Sequence, residues 1–198
     1  MKALLSEKRK KRSQLGFTLV ELMIAIAVSA MIMVGSMQIL SHMVVTTAQN
    51  RASTMAILQV QYVGFWITED VVQARPEGVS FGTTANLEGA QIGLKYPLDM
   101  YPLNIDWKEW GGVAHHIEYR LAQDPKDSSI WILTRTSTST PADPGRDGTT
   151  VVGESLDPAG TVCEKVAGNV TAVLKLDVTA NVDGKVATRT YEINPRSK

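Results

Sequence analysis

Residues 12–35 read RSQLGFTLVELMIAIAVSAMIMVG. The stretch passes from charged to apolar within a few positions, and one acidic side chain, Glu21, interrupts the apolar part. From Leu22 to Asn50 there is no Asp, Glu, Lys or Arg. The first part of that interval, Leu22 to Leu40, is about the 20 residues needed to cross roughly 30 Å of hydrocarbon as a helix. The segment therefore reads as membrane-spanning. An ionisable group within such a span costs about 2.5 to 3.5 kcal/mol on insertion scales, and such groups are usually paired and functional. Glu21 is expected to have a partner.

On the N-terminal side, residues 1–16 carry Lys2, Lys8, Arg9, Lys10, Lys11 and Arg12 against Glu7. The chain has 20 basic and 20 acidic side chains, so its net charge of zero divides into +5 for this leader and −5 for the rest. Basic residues ahead of an apolar span stay in the cytoplasm and send the remainder across. The basic patch is short and lacks interleaved aromatic residues, so direct nucleic-acid binding is not expected. An ordinary secretory signal places its small-residue cleavage site after the apolar stretch. Here the small residue, Gly16, lies before it, so cleavage at this point would remove only the leader and leave Phe17 as the new N-terminus.

KRSQLGFTLVELMIAIAVSAMI resembles the signal of type IV pilins and type II secretion pseudopilins, in its basic leader, Gly16, Phe17, Thr18-Leu19, Glu21 and apolar run in fixed order. The resemblance implies that a prepilin peptidase cuts between Gly16 and Phe17 and N-methylates Phe17. It implies that Glu21 pairs with the N-terminal amine of a neighbouring subunit during filament assembly, a charge that methylation preserves. It also implies other pilins and an inner-membrane assembly platform as partners, besides the lipid bilayer, and no cofactor. The competing reading is a signal-anchored periplasmic domain that stays uncut and binds a ligand or partner.

Beyond the membrane the helix is expected to continue to about Ala74. RASTMAILQVQYVGFWITEDVVQA places Met55, Leu58, Tyr62, Phe65 and Trp66 at three- and four-residue spacing, with Ile67 and Val71. That stripe reads as a core face. Arg75-Pro76-Glu77-Gly78 stops the helix, and Gly35 and Gly64 are positions where it could bend. Residues 79–110 read as loop with one or two short strands. VAHHIEYRL and SSIWILTRTS alternate about AQDPKD and predict a hairpin. Residues 137–160 read as a polar surface loop. Two final strands should join at Val182-Asp183-Gly184-Lys185, where Asp-Gly favours a tight hairpin.

These features predict an α+β, pilin-like fold, with a long N-terminal helix packed on an antiparallel β-sheet. The expected divisions are a leader at 1–16, a transmembrane or filament-core helix at 17–45, its amphipathic continuation at 46–76, and a periplasmic or extracellular β domain at 77–198. ITEDVVQA, IEYRL, WILTR and VAGNVTAVLKLDV, in that order, resemble the J-type minor pseudopilins and W-type minor pilins.

The remaining polar groups do not make a catalytic or metal centre. On a strand, His116 and Glu118 face one way and His115 the other, so one metal cannot easily use all three. Asp143 and Asp147 in DPGRDG lack the ordered oxygen ligands of a recognised calcium loop. Asn169-Val170-Thr171 fits a glycosylation acceptor by accident. Cys163 is the only cysteine, which excludes an intramolecular disulfide and a cysteine zinc cluster. No nucleophile elbow, zinc-protease helix or phosphate-binding glycine loop occurs.

Overall fold

The structure is a computed structural model that describes residues 18–83, 85–109, 111–167 and 172–196. Among the described residues the chain forms helix α1 (Leu19–Gln73), a short 3-10 turn at Pro76–Gly78 and ten strands. The chain forms two compact units, Met1–Thr47 and Ala48–Lys198. In the first unit the large side chains of α1 from Leu19 to Val45 are exposed.

In the second unit α1 ends where Arg75 adopts an extended conformation, ψ 161°, ahead of Pro76. A proline disfavours helical backbone in the residue before it, so the predicted stop stands. The strands are β1 (Val79–Phe81), β2 (Ala85–Asn86), β3 (Lys95–Pro97), β4 (Leu103–Lys108), β5 (Ala114–Gln123), β6 (Trp131–Thr140), β7 (Gly148–Gly153), β8 (Val162–Val166), β9 (Val173–Val182) and β10 (Lys185–Ile193). They make two antiparallel sheets, ordered β2-β1-β4-β5-β6-β7 and β10-β9-β8-β3. The α+β arrangement is as expected, with two sheets in place of one.

Both predicted hairpins are present. Beta5 pairs with β6 along its full length, from Ala114 opposite Thr140 to Gln123 opposite Trp131. Beta9 and β10 join through Asp183 (φ 49°) and Gly184 (φ 77°), the two left-handed residues that a type I′ turn requires.

Three expectations need correction. Residues 79–110 carry four strands, not one or two. Three of these are two or three residues long, too short to show a period, and they are fixed by packing: Phe81 stacks on Tyr96 at 4.3 Å. Residues 137–160 are not a single loop, because β6 runs on to Thr140 and β7 follows at Gly148. The inward positions there are Ser137 and Ser139, both buried, so no apolar alternation marked the strand.

The third correction concerns α1. Its buried face in the second unit is Ala52, Ala56, Val60, Val63, Gly64, Ile67, Asp70 and Val71. Ile67 and Val71 are core as expected, but Met55, Leu58, Tyr62 and Phe65 are 43, 51, 49 and 59% exposed. Close approach to the sheets selects small and β-branched side chains, and the aromatic ridge is left outside. Gly64 is such a contact: a Cβ there would lie 2.0 Å from Tyr191 Cζ. Its glycine serves packing rather than a bend.

Candidate functional site

Thr18 and Glu21 begin α1 as a capping box, in which the residue before the helix and the third residue within it satisfy each other's amides. The Thr18 amide donates to Glu21 Oε2 at 2.9 Å, the Thr18 hydroxyl donates to the same oxygen at 3.0 Å, and the Glu21 amide donates to Thr18 Oγ1 at 3.2 Å. A carboxylate at a helix N-terminus also meets the positive end of the helix dipole. Glu21 is thereby engaged by Thr18 within its own helix, through a T-x-x-E spacing that the sequence reading passed over. Gly16 and Phe17 lie outside the described residues, as does Asn169-Val170-Thr171.

Downstream of the cap, Ser29 and Ser36 return their hydroxyls to the carbonyls of Ala25 and Ile32 at 2.7 and 2.8 Å. Each hydroxyl is thereby satisfied within the helix, as an apolar environment demands. Alpha1 is long and apolar enough to cross a membrane.

The helix is fixed to the sheets by a group that the sequence reading missed. Asp70, 3% exposed, accepts two hydrogen bonds from Arg135 on β6, at 2.8 and 3.0 Å, and one from the Tyr119 hydroxyl on β5. The Arg135 guanidinium also lies 5.2 Å from the centre of the Trp66 ring. Burial and the adjacent Asp70 carboxylate push the Tyr119 phenol well above the usual tyrosine range, so it remains a donor. Desolvation works against the charge on Arg135, and the contacts with Asp70 outweigh it, raising the guanidinium pKa further. An acid between the apolar positions Ile67 and Val71 was the available signal, but its partners are 49 and 65 residues away.

The other polar candidates are engaged separately. His116 Nδ1 lies 2.7 Å from Asp106, and Glu118 accepts from Arg120 at 2.8 Å. His115 faces the opposite side, stacked on Trp107 at 5.0 Å with Nε2 3.1 Å from Glu109. Among the described residues, no group of three or more His, Cys, Asp or Glu side chains is placed to hold a metal. Asp147 is occupied by the Ser139 hydroxyl at 2.8 Å and the Asp143 amide at 3.0 Å. Desolvation opposes its charge, but these hydrogen bonds hold its carboxyl below the usual range. These contacts close the turn on itself. Ser139 stands directly across from His115, yet its hydroxyl points to Asp147 and accepts the Asp143 amide, so it is no nucleophile for that histidine.

Comparison with known proteins adds one match. Residues 11–37 match the family model of the prokaryotic N-terminal methylation motif. No curated protein and no solved structure matches the chain. The match covers the capping box and the first turns of α1, and a methylation motif at the head of a membrane-length helix, in a chain that goes on to antiparallel sheets, supports a type IV pilin-like protein.

Proposed function

We propose that the chain is a noncatalytic minor pilin or pseudopilin that joins, or primes, a type IV pilus or a type II secretion pseudopilus. The observation that carries this reading is the methylation motif over residues 11–37. In this reading a prepilin peptidase removes residues 1–16 between Gly16 and Phe17 and methylates the Phe17 amine. Residues 17–45 first hold the protein in the inner membrane, N-terminus inward, and later pack in the filament core. Residues 46–76 continue the helix into the periplasm, and residues 77–198 form the domain displayed there and, after assembly, on the filament.

The apolar exposure of α1 suits this exchange, because lipid tails and a bundle of similar helices are environments of comparable polarity. Glu21 supplies direction. In the free subunit it caps its own helix through Thr18. During assembly the amine of a neighbouring Phe17 is a stronger partner in an apolar layer, since attraction between unit charges grows as the dielectric falls. Other pilins and an inner-membrane assembly platform are the partners this mechanism requires.

The test is the distribution of the protein between membranes and sheared filaments in cells expressing a pilus or pseudopilus system. The unaltered chain should enter the filament fraction and Gly16→Leu should remain in the membrane. Equal retention of both in the membrane would favour a signal-anchored binding domain.

A further inference from the structure

On the inner face of β4 and β5, Leu103 stands opposite Tyr119 and Ile105 opposite Ile117, and all four side chains are buried in the core. The next pair on that face is Trp107 and His115, whose rings stack at 5.0 Å. Helix α1 has stopped at Gln73, and the pair lines a groove of about 830 Å³. That volume falls within the roughly 300–1,000 Å³ of small-molecule sites.

Two backbone contacts fix the rim of the groove. A Cβ at Gly78 would collide with the Asp106 carbonyl, so the 3-10 turn lies directly on β4 and carries Arg75 and Glu77 to the groove. The Arg196 amide donates to the Ala74 carbonyl at 2.7 Å, which ties the chain after β10 to the end of α1 and brings Arg196 to the same place. A site held in this way is largely formed before a ligand arrives, which lowers the ordering cost of binding.

The lining carries both signs equally, Arg75, Lys108 and Arg196 against Glu77, Asp106 and Glu109. An anion there meets three carboxylates and a cation meets three basic groups, while an apolar molecule strips water from all six. A neutral molecule covered in hydroxyls suits such a lining, because each hydroxyl can donate to a carboxylate and accept from a guanidinium or ammonium. Trp107 adds an aromatic surface, and the negative face of an indole attracts the weakly positive C–H bonds of a sugar ring. The His115 side chain is 5% exposed, and its Nε2, 3.1 Å from Glu109, makes no aligned hydrogen bond. Few buried polar atoms are left in that state.

We propose that this groove binds a neutral oligosaccharide of about two or three sugar rings. Trp107 packs against one ring, the carboxylates and basic groups take the hydroxyls, and a hydroxyl beside Glu109 supplies the partner that His115 Nε2 lacks. Every residue of the site lies in the second unit and none depends on cleavage after Gly16. Sugar binding and the pilin reading therefore stand or fall separately.

Saturation-transfer NMR of the full chain, in a detergent without a sugar headgroup, tests the proposal with cellotriose, maltotriose and the trimer of N-acetylglucosamine. At least one should show saturable transfer that added salt leaves unchanged, because the ligand carries no charge. Trp107→Ala should weaken that binding about tenfold or more, the usual effect of removing an aromatic anchor. Trp107 also packs against the core, so Arg75→Ala and Lys108→Ala, at exposed positions, give a second reading that does not disturb the fold, and each should weaken binding severalfold. No transfer to any of the three sugars, or affinity unchanged in all three variants, overturns the proposal. Tighter binding of the acidic trisaccharide trigalacturonate also overturns it, since charge would then select the ligand.

Discussion

Replacing Asp70 with alanine removes the acceptor of three hydrogen bonds, two from Arg135 and one from Tyr119. The Arg135 side chain is 17% exposed, so its charge cannot simply return to water. Breaking a buried pair from one side costs about 3–5 kcal/mol, chiefly because the remaining charge is stranded. Against a typical total stability of about 5–15 kcal/mol, that is a large fraction. For a domain of this size, about 2–4 °C of melting temperature per kcal/mol gives a fall on the order of 10 °C. The assay is thermal unfolding of the full chain in detergent, followed by tryptophan fluorescence, because Trp66 lies against Arg135. Removing both charges, with Asp70→Leu and Arg135→Met, should recover much of the loss, since apolar residues of similar volume replace a buried pair well. A single variant that melts within about 2 °C of the parent, by the same conversion, would refute the assignment of this pair as the helix-to-sheet clamp. So would a double variant no more stable than the single.

Two glycines on one helix should respond oppositely to alanine. Gly64→Ala should destabilise by about 1–3 kcal/mol, the usual cost of overpacking, because the added carbon meets the Tyr191 ring, while Gly35→Ala, with nothing within 4 Å, should be neutral or stabilising in denaturation profiles. Glu21→Ala should insert and be cleaved normally yet fail to enter sheared filaments, which immunoblots of the two fractions would read. Burial, with Asp177 nearby, raises the Cys163 thiol pKa, and burial beside Asp70 raises that of Tyr119. The unfolded chain therefore loses these protons first, from about pH 8.5 for the thiol and about pH 10 for the phenol. Stability should be full below that range and fall as pH rises through it, and Cys163→Ala should remove the earlier part of the decline in urea unfolding measured across pH.

The parts of this molecule that were legible in sequence are those written in local patterns. The stop at Arg75-Pro76 and the β5–β6 and β9–β10 hairpins depend on neighbours a few residues apart, whereas the equally local cap of Thr18 on Glu21 went unread. The parts that were not legible depend on what meets across long separations. The ridge of Met55, Leu58, Tyr62 and Phe65 has helical spacing as good as the true core face. Contacts such as the close approach of Tyr191 to Gly64 show which face the sheets accept. Likewise Asp70 has no local sign of Arg135, and the inward Ser137 and Ser139 conceal a strand because a buried hydroxyl does not register as an apolar position. Of the candidate site, Glu21 and its surroundings were readable because a charge inside an apolar run is costly wherever it occurs.

The measurement that tests the account most directly is the intact mass and N-terminal peptide of the protein expressed with and without a prepilin peptidase. The account predicts a chain beginning at methylated Phe17 when the peptidase is present and one retaining residues 1–16 when it is absent. A chain that keeps its leader in both preparations would contradict it.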